Sequence, residues 1–160
     1  MTTRVEDIAT RFEQANNELI ATVEGCSDEQ WSAQCGSDER SVGVVADHVA
    51  NSHVLVAKWI QSIAAGQPMA VSMDMIHEGN AQHAASRAGV TRSEVADLLR
   101  SNAQEAGEII RGLNEDEIDR PIPIAVMGGE EKTAAEMAEM LMVGHVTGHM
   151  NDIRSAAGGA

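Results

Sequence analysis

Residues 133–154 read TAAEMAEMLMVGHVTGHMNDIR, and this stretch is typical of one long amphipathic helix. Thr133 and Glu136 form a capping box at its start, and apolar residues recur at helical spacing after it. His145 and His149 lie four positions apart, so both imidazoles share one helix face, about one turn apart. Two such imidazoles can bind one divalent cation, and the alternative is a histidine pair without an ion.

Gly144 and Gly148 each precede one of these histidines. Glycine in a helix interior costs up to about 1 kcal/mol relative to alanine. We therefore expect a close helix contact or an adjacent ligand to explain both glycines.

The composition indicates one globular domain, which we place at residues 1–160. Hydrophobic residues make up 43% of the chain and aromatic residues only 2%, a balance that favours packed helices over a β-sandwich. The net charge of −14 argues against nucleic acid and against an anionic membrane surface as partners, because both require clustered Lys and Arg. No stretch is apolar enough to span a bilayer, and the N-terminus does not resemble a signal peptide. Cys26 and Cys35 are expected to be reduced, with a disulfide between them as the alternative, and the protein is predicted to be cytoplasmic.

Three further segments have helical periodicity, which predicts long helices at about residues 4–24, 41–65 and 91–113. Capping boxes begin the first helix at Thr3 and the third at Thr91. Residues 72–88 are predicted to hold a short helix, and a connector with prolines and glycines a short strand at 122–126. Four long amphipathic helices predict an all-α fold, a four-helix bundle with long connections between the second and third and between the third and fourth helices.

A metal site needs a third protein ligand, and His48 is the candidate. It is the one remaining histidine within a long apolar stripe, near the start of the second long helix. If the second and fourth helices are antiparallel, His48 and His149 lie at similar depth in the bundle. Three neutral imidazoles with an open coordination position suit zinc, nickel, iron or manganese, and they allow a bound water or thiol to be acidified. A core histidine without an ion is the alternative for His48.

Two carboxylates lie close to this histidine set in the sequence. Asp152 follows His149 by three residues and Asp47 adjoins His48, so either can accept a ring N–H or bind water near an ion. A solvated surface position is the preferred interpretation of Asp47, and both interpretations of Asp152 stay open.

The remaining histidines are predicted to lie at the surface or in loops. His53 lies about 140° around the helix from His48 and should point elsewhere. The alternative for the short helix is that it folds back over the mouth of the bundle, which would bring four of its residues to the site: His77, Glu78, Asn80 and His83. Trp31 and Trp59 are interpreted as packing residues.

Three segments carry a resemblance to a known family: SVGVVADHVANSH at 41–53, DRPIPIAVMGGEEKT at 119–133 and VGHVTGHMNDIR at 143–154. In order and spacing they resemble the DinB/YfiT superfamily, and EGNAQHAAS at 78–86 resembles the start of that family's third helix. The resemblance implies an up-down-down-up bundle and a homodimer. It also implies that His48, His145 and His149 bind a divalent metal, most often nickel or zinc, with iron or manganese as alternatives.

The resemblance further implies a chemistry. Relatives use low-molecular-weight thiols such as mycothiol or bacillithiol in S-transfer or isomerisation, and others are hydrolases. Relatives of the maleylpyruvate-isomerase type carry an additional C-terminal domain, so isomerase activity is not expected from this chain. Two functions follow. One is a metal-dependent enzyme that acts on a small-molecule substrate through an activated thiol or water, with no separate general base assigned. The other is a non-catalytic dimeric binding or interaction module with a structural or regulatory metal.

Overall fold

Four long helical segments form the framework of the computed structural model, which describes residues 2–36, 39–69 and 71–158. The predicted all-α four-helix bundle is confirmed. Its first three members are long α-helices, and its fourth consists of two α-helices joined by a π-helical segment. The bounds are α1 Arg4–Gly25, α2 Asp28–Ser32, α3 Val42–Ala64, α4 Met73–Ser86, α5 Arg92–Arg111, α6 Ala134–Ala138, the π segment Glu139–Gly144 and α7 His145–Ala156.

Serine and threonine side chains fix the starts of these helices. Thr91 and Thr133 each form a complete capping box, as predicted. The box at Thr3 is only half formed, because its hydroxyl accepts the Glu6 backbone N–H while the Glu6 carboxylate accepts from Arg111 instead. The caps hold the helix starts close to the predicted positions, because they satisfy backbone N–H groups that have no partner within the helix.

Ion pairs between helices define the directions of α1, α5 and the fourth helical segment. Arg111 at the end of α5 donates to Glu6 near the start of α1 at 2.9 Å, so these two helices are antiparallel. Arg11 in the first half of α1 donates to Glu139 at the start of the π segment at 2.8 Å, so α1 and the fourth segment are parallel.

Helices α3 and α5 run parallel. Trp31 packs beneath Gly43 at the start of α3 and donates its indole N–H to the Val90 carbonyl, just before α5, at 3.0 Å. Further along both helices, Asn102 donates to the Ala50 carbonyl at 2.9 Å. Helix α3 is therefore antiparallel to α7, and the predicted up-down-down-up order is confirmed. Each of α1 and α3 packs against both α5 and α7.

The fourth helical segment is not the single α-helix that its sequence predicts. Five of its buried residues recur at every fourth position, at Ala134, Ala138, Met142, Val146 and Met150, and Ala135, Met137 and Ile153 are buried beside this row. An α-helix turns about 100° per residue, so four residues turn about 400°, which is about 40° more than one full turn. In a regular α-helix the five side chains would therefore shift around the helix axis by about 40° at each step and by about 160° in total. The wider π turn includes an extra residue and thereby returns the later side chains to the core.

The connector before α6 contains a small hairpin. Strand β1 (Ile122–Ile124) pairs antiparallel with β2 (Glu130–Lys132), and Ala125–Met127 form a 3₁₀ turn between them. Gly128 and Gly129 complete the turn with φ of 69° and 85°, which glycine adopts without steric cost. The predicted strand is present but ends earlier than expected, at Ile124.

The core lies where α1, α3, α5 and the fourth helical segment face one another. Apolar side chains fill it, and the largest fully buried ones include Phe12, Leu19, Ile60, Leu99 and Met142. Cys26 and Cys35 are also buried and are not joined in a disulfide. Across the described residues, no helix combines the length and the apolar character needed to cross a membrane.

Candidate metal centre

Three histidines from two antiparallel helices meet inside the bundle. His48 lies near the start of α3, and His145 and His149 lie in the first turns of α7. One ring nitrogen of each lies within 4.8 Å of the others, and all three residues are partly buried. The structure thus brings together the three residues named from the sequence. That they bind an ion stays a prediction.

The distances between these rings fit a shared metal ion. Two nitrogens that each lie about 2.1 Å from one ion are separated by about 3.0–3.4 Å at the usual coordination angles. The Nε2 atoms of His48 and His145 are 3.2 Å apart. That distance also suits a hydrogen bond from one imidazole to the other. The ring planes of the three pairs cross at 75°, 83° and 89°, so the rings do not stack face to face.

Burial keeps two of these imidazoles neutral. Loss of water contact, together with the smaller effects of the neighbouring charges of His145, His149 and Arg40, lowers the pKa of His48 to about 3. Burial lowers the pKa of His145 to about 4, with His149 and Arg40 as further causes. At neutral pH both rings therefore carry a nitrogen lone pair, which a metal ion requires.

The π segment positions the histidines of α7. Its first residue, Glu139, forms an ion pair with Arg11 of α1. A Cβ on Gly144 would lie 3.1 Å from the Glu139 carbonyl oxygen, so the close contact that explains this glycine lies within its own π turn and not at another helix. Around Gly148, no described atom lies within 4 Å of an added Cβ, and the structure gives no packing reason for it. Single π turns in α-helices are frequent at functional sites.

Asp47 is fully buried, so its predicted solvated position is wrong. Its carboxylate accepts two hydrogen bonds from Arg87, each of 2.9 Å, and one from His83 Nε2–H at 2.6 Å. His83 belongs to α4 and Arg87 follows the end of that helix, so both donors come from a separate segment that the periodicity of α3 cannot reveal. Asp47 thus fastens α4 to α3 and does not accept the ring N–H of His48. Asp152, the other candidate carboxylate, is exposed.

Helix α4 folds back over the site, the alternative that its sequence left open. His83 is half-buried, 5.9 Å from His48 between ring centroids, so its predicted surface position is wrong. Its Nδ1 atom is buried with no hydrogen-bond partner among the described residues. Asn80 lines the same opening, whereas His77 and Glu78 are exposed. In the sequence, Asn80 and His83 are three positions apart and therefore share one helix face, and this spacing could have indicated that the two residues face the site together.

His53 is the second histidine whose predicted surface position is wrong, because it is only 3% exposed. Its Nε2–H donates to Asn16 Oδ1 at 2.7 Å, and Asn16 donates to the Leu99 carbonyl at 3.0 Å. Phe12 packs edge-on against the imidazole, with ring centroids 4.8 Å apart. Burial lowers the pKa of His53 to about 3. It points elsewhere, as predicted, and does not join the three-histidine group found in the described residues.

A cleft of about 580 Å³ leads from His48 and His145 outward between α3 and α4. This size is ordinary for a site that binds a small molecule. Trp59, predicted as a packing residue, is half-buried and forms part of the wall. Most of the wall is apolar and comes from α3, α4 and the π segment, including Leu55, Val56, Trp59, Met75, Ile76 and Leu141. A small molecule can thus reach the histidines.

Several solved structures share this fold at low sequence identity. One is a mycothiol-dependent maleylpyruvate isomerase, with a TM-score of 0.70 and 16% identity; the match covers 96% of this chain and 63% of that one. The sibling lethal factor precursor DfsB has a TM-score of 0.70 and 17% identity, with 97% and 95% covered. An uncharacterised protein from Clostridium difficile 630 has a TM-score of 0.74 and 13% identity, with 97% and 95% covered. At these identities the likeness shows the fold alone.

The sequence comparison gives the family. No curated protein has significant sequence similarity to this chain. The family model of the DinB superfamily matches residues 11–153, a range that includes all three converging histidines. The chain therefore belongs to the DinB superfamily, which confirms the resemblance seen in its sequence.

Proposed function

We propose that this protein is a metal-dependent enzyme in which His48, His145 and His149 hold a divalent ion, beside which a low-molecular-weight thiol or a water molecule is activated. The reaction would be S-transfer or hydrolysis on a small-molecule substrate. The observation that carries the proposal is the convergence of three imidazole nitrogens within 4.8 Å of one another, at a cleft open to a small molecule.

The donor set fits a divalent transition-metal ion. Neutral imidazoles are ligands for nickel, zinc, iron and manganese, and the lowered pKa values of His48 and His145 keep both rings neutral at physiological pH. Three protein ligands leave coordination positions for a substrate atom, as in catalytic sites, whereas structural zinc sites have four. We expect nickel or zinc first and iron or manganese next.

A bound ion would act as a Lewis acid that lowers the pKa of a coordinated thiol or water. The residues of the chain supply the surroundings. A substrate packed against the apolar wall of the cleft would displace water, which strengthens electrostatic interactions at the histidines. Asp47, held by Arg87 and His83, keeps α4 in place as one side of the cleft.

The thiol cosubstrate is proposed from the shared fold. A structure with this fold is described as mycothiol-dependent, which supports mycothiol or bacillithiol as the activated thiol. This chain spans 63% of the length of that protein, so its isomerase reaction is not carried over. We expect the thiol sulfur to form a bond to an electrophilic carbon of a small substrate, while the bond from that carbon to its leaving group breaks and the leaving group takes up the thiol proton. A water molecule in the same position would give hydrolysis instead.

Three wider expectations from the sequence remain part of the proposal: a single domain over residues 1–160, a homodimer and a cytoplasmic location. Light scattering of the purified protein tests the dimer. Neither nucleic acid nor a membrane is expected as a partner, because the net charge of −14 disfavours binding to either anionic surface.

Metal analysis of protein purified without a histidine tag tests the site directly. We expect one tightly bound ion per chain, and a loss of at least about 100-fold in zinc or nickel affinity for His48→Ala, because one of three ligands is removed. His77→Ala is the matched control, since His77 is an exposed histidine outside the group. Full occupancy in His48→Ala would show that the ligand set is wrong.

Turnover separates the enzyme from a non-catalytic dimeric module with a structural or regulatory metal. The assay screens mycothiol and bacillithiol with electrophilic substrates, before and after chelation. Activity that disappears with the ion and returns when it is restored supports the enzyme. A stoichiometric ion without turnover under any of these conditions favours the binding module.

A further inference from the structure

The cleft beside the histidines exposes large apolar side chains on two facing walls. Leu55 of α3 is 51% exposed and Met75 of α4 is 56% exposed, and both line the cleft. Ile76 of α4 and Trp59 of α3 extend the same two walls. Apolar surface that is gathered in a concave site, and not scattered over the protein, is typical of a binding site.

Helix α4 does not use its apolar side chains for the core. None of its described residues is buried, and its attachment to α3 includes the polar contacts of His83 and Arg87 with Asp47. The apolar side chains Met75 and Ile76 therefore remain available to a ligand. Their main opportunity to leave water is contact with a molecule in the cleft.

Away from the histidines at its inner end, the wall of the cleft offers no compensation for a charged ligand. Its lining, as far as the described residues define it, contains no Lys, Arg, Asp or Glu. Two of its polar side chains already have partners within the protein, because Asn51 donates to Asp47 and Ser52 donates to the His48 carbonyl. Arg87 lies nearby but donates to the buried Asp47 carboxylate. A carboxylate placed along this wall would lose its water without gaining an ion-pair partner.

We infer that the cleft binds the apolar body of a neutral substrate, an aliphatic or aromatic molecule whose hydrocarbon part lies along Leu55, Trp59, Met75 and Ile76. The substrate class is thus a neutral hydrophobic compound and not a di- or tricarboxylate. The inference rests on the proposed function only in placing the reactive carbon of this molecule at His48 and His145. Binding of the hydrocarbon part needs neither metal nor turnover.

Binding of a homologous series of n-alkanols to the full-length protein tests the inference. Hexanol, octanol and decanol are titrated against metal-free protein while tryptophan emission is recorded, and Trp59→Phe identifies the signal from the cleft. We expect affinity to rise about fourfold for each added methylene, the factor that corresponds to its transfer from water. Octanoate, matched in chain length to octanol, is expected to bind at least about tenfold more weakly. Affinity that is independent of chain length, or octanoate that binds as tightly as octanol, would overturn the inference.

Two methionines of α4 provide a matched pair of variants. Met75 lines the cleft and is 56% exposed, whereas Met73 lies outside the lining and is 45% exposed. We expect Met75→Gln to weaken octanol binding by roughly fivefold, because an apolar contact is lost, and Met73→Gln to leave it unchanged. Equal effects of the two changes would contradict the inference.

The same variants distinguish a small ligand from a second copy of the chain. If the cleft wall were a dimer contact, Met75→Gln would change the oligomeric state and leave octanol affinity unaltered, and the inference would be wrong. Failure of the metal proposal gives a different result, since a chain without bound ion or turnover would still bind alkanols. Conversely, an absence of alkanol binding leaves the three-histidine site untouched.

Discussion

At the scale of single residues, His53 and Asn16 place a hydrogen-bonded polar pair inside an apolar core. The Asn16 amide N–H donates to the Leu99 carbonyl, so the Asn16 Oδ1 atom is left to accept from His53. The proton of the neutral His53 imidazole therefore lies on Nε2. The two hydrogen bonds between Leu99, Asn16 and His53 limit the cost of removing the amide and the imidazole from water. The arrangement requires a neutral imidazole and thus links protein stability to pH.

We expect His53→Gln to make unfolding less dependent on pH. The folded pKa of His53 is about 3, below the ordinary value of 6.5, so between these values the unfolded chain binds more protons. The stability that neutral His53 contributes is complete above 6.5 and is lost as the pH falls towards 3. The variant should reduce the slope of unfolding free energy by up to about 1.4 kcal/mol per pH unit between about pH 6 and about pH 4.

Urea unfolding of metal-free protein at a series of pH values measures this slope. His77→Gln serves as the control, because His77 is exposed and its replacement should leave the slope as it is. A wild-type slope in His53→Gln would mean that the buried imidazole accepts a proton without unfolding.

The sequence predicts residues well where one helix determines their position. His145 and His149 share a face because of their spacing, and His48 faces the bundle interior because it lies in an apolar stripe. The predictions for Asp47 and His53 failed because their partners come from other helices. A polar residue beside an apolar stripe is at the surface unless another segment covers it, and periodicity within one helix holds no information on that segment.

At the scale of secondary-structure elements, α4 differs from the long helices of the bundle. Among its described residues none is buried, whereas α1, α3 and α5 each bury a full apolar face. Its hydrogen-bonded link to α3 passes through one buried carboxylate, that of Asp47. An element with little buried apolar surface opens locally at lower free energy than the core helices. The wall of the cleft is therefore also the element most easily displaced.

We expect Asp47→Ala to release α4 while the rest of the bundle stays folded. The change leaves His83 and Arg87 without their shared acceptor. Because Arg87 is 36% exposed and can regain water, the loss should be about 2 kcal/mol, below the usual cost of breaking a buried pair. Hydrogen exchange should become faster in residues 73–86 and stay unchanged in α1 and α5.

Asp152→Ala is the control for this prediction, since Asp152 is an exposed aspartate on α7. If Asp47→Ala leaves exchange in α4 at the wild-type rate, then apolar contacts along the cleft, and not the buried carboxylate, hold this helix. Uniformly faster exchange in all helices would instead assign Asp47 to the stability of the whole bundle.

The π segment shows which part of an element can be read from a pattern. Helix existence follows from caps and periodicity, and the fourth helical segment begins at the predicted residue. Its internal register does not follow, because spacings of three and four both indicate an α-helix. An uninterrupted spacing of four from Ala134 to Met150 was the overlooked signal. Over one or two turns, the angular shift of these residues around the helix axis stays within the width of an apolar face. Only the full row of five residues requires a wider turn.

At the scale of the whole molecule, helix directions determine whether a site can exist. His48 and the pair on α7 come from distant parts of the sequence and meet because α3 and α7 are antiparallel neighbours. The long connection before α5 permits this order, since α3 and α5 run parallel and the chain must cross the length of the bundle between them. Once the helix directions were assumed, the similar depth of His48 and the histidines of α7 was predictable. The cleft was not predictable, because its walls depend on how α4 folds back.

A metal that joins α3 to α7 should stabilise the entire bundle, and this gives a prediction for the whole molecule. An ion that binds only the folded chain adds about 4 kcal/mol at a free concentration 1,000 times its Kd, which corresponds to a rise in Tm of roughly 10 °C at this size. We expect calorimetry to show this rise when zinc or nickel is added to chelator-treated protein. His48→Ala should lose most of the rise, and His77→Ala, at an exposed histidine of α4, should retain it. A rise of equal size in both variants would place the stabilising ion away from the three histidines, because an ion held by them cannot stay equally bound when one ligand from α3 is removed.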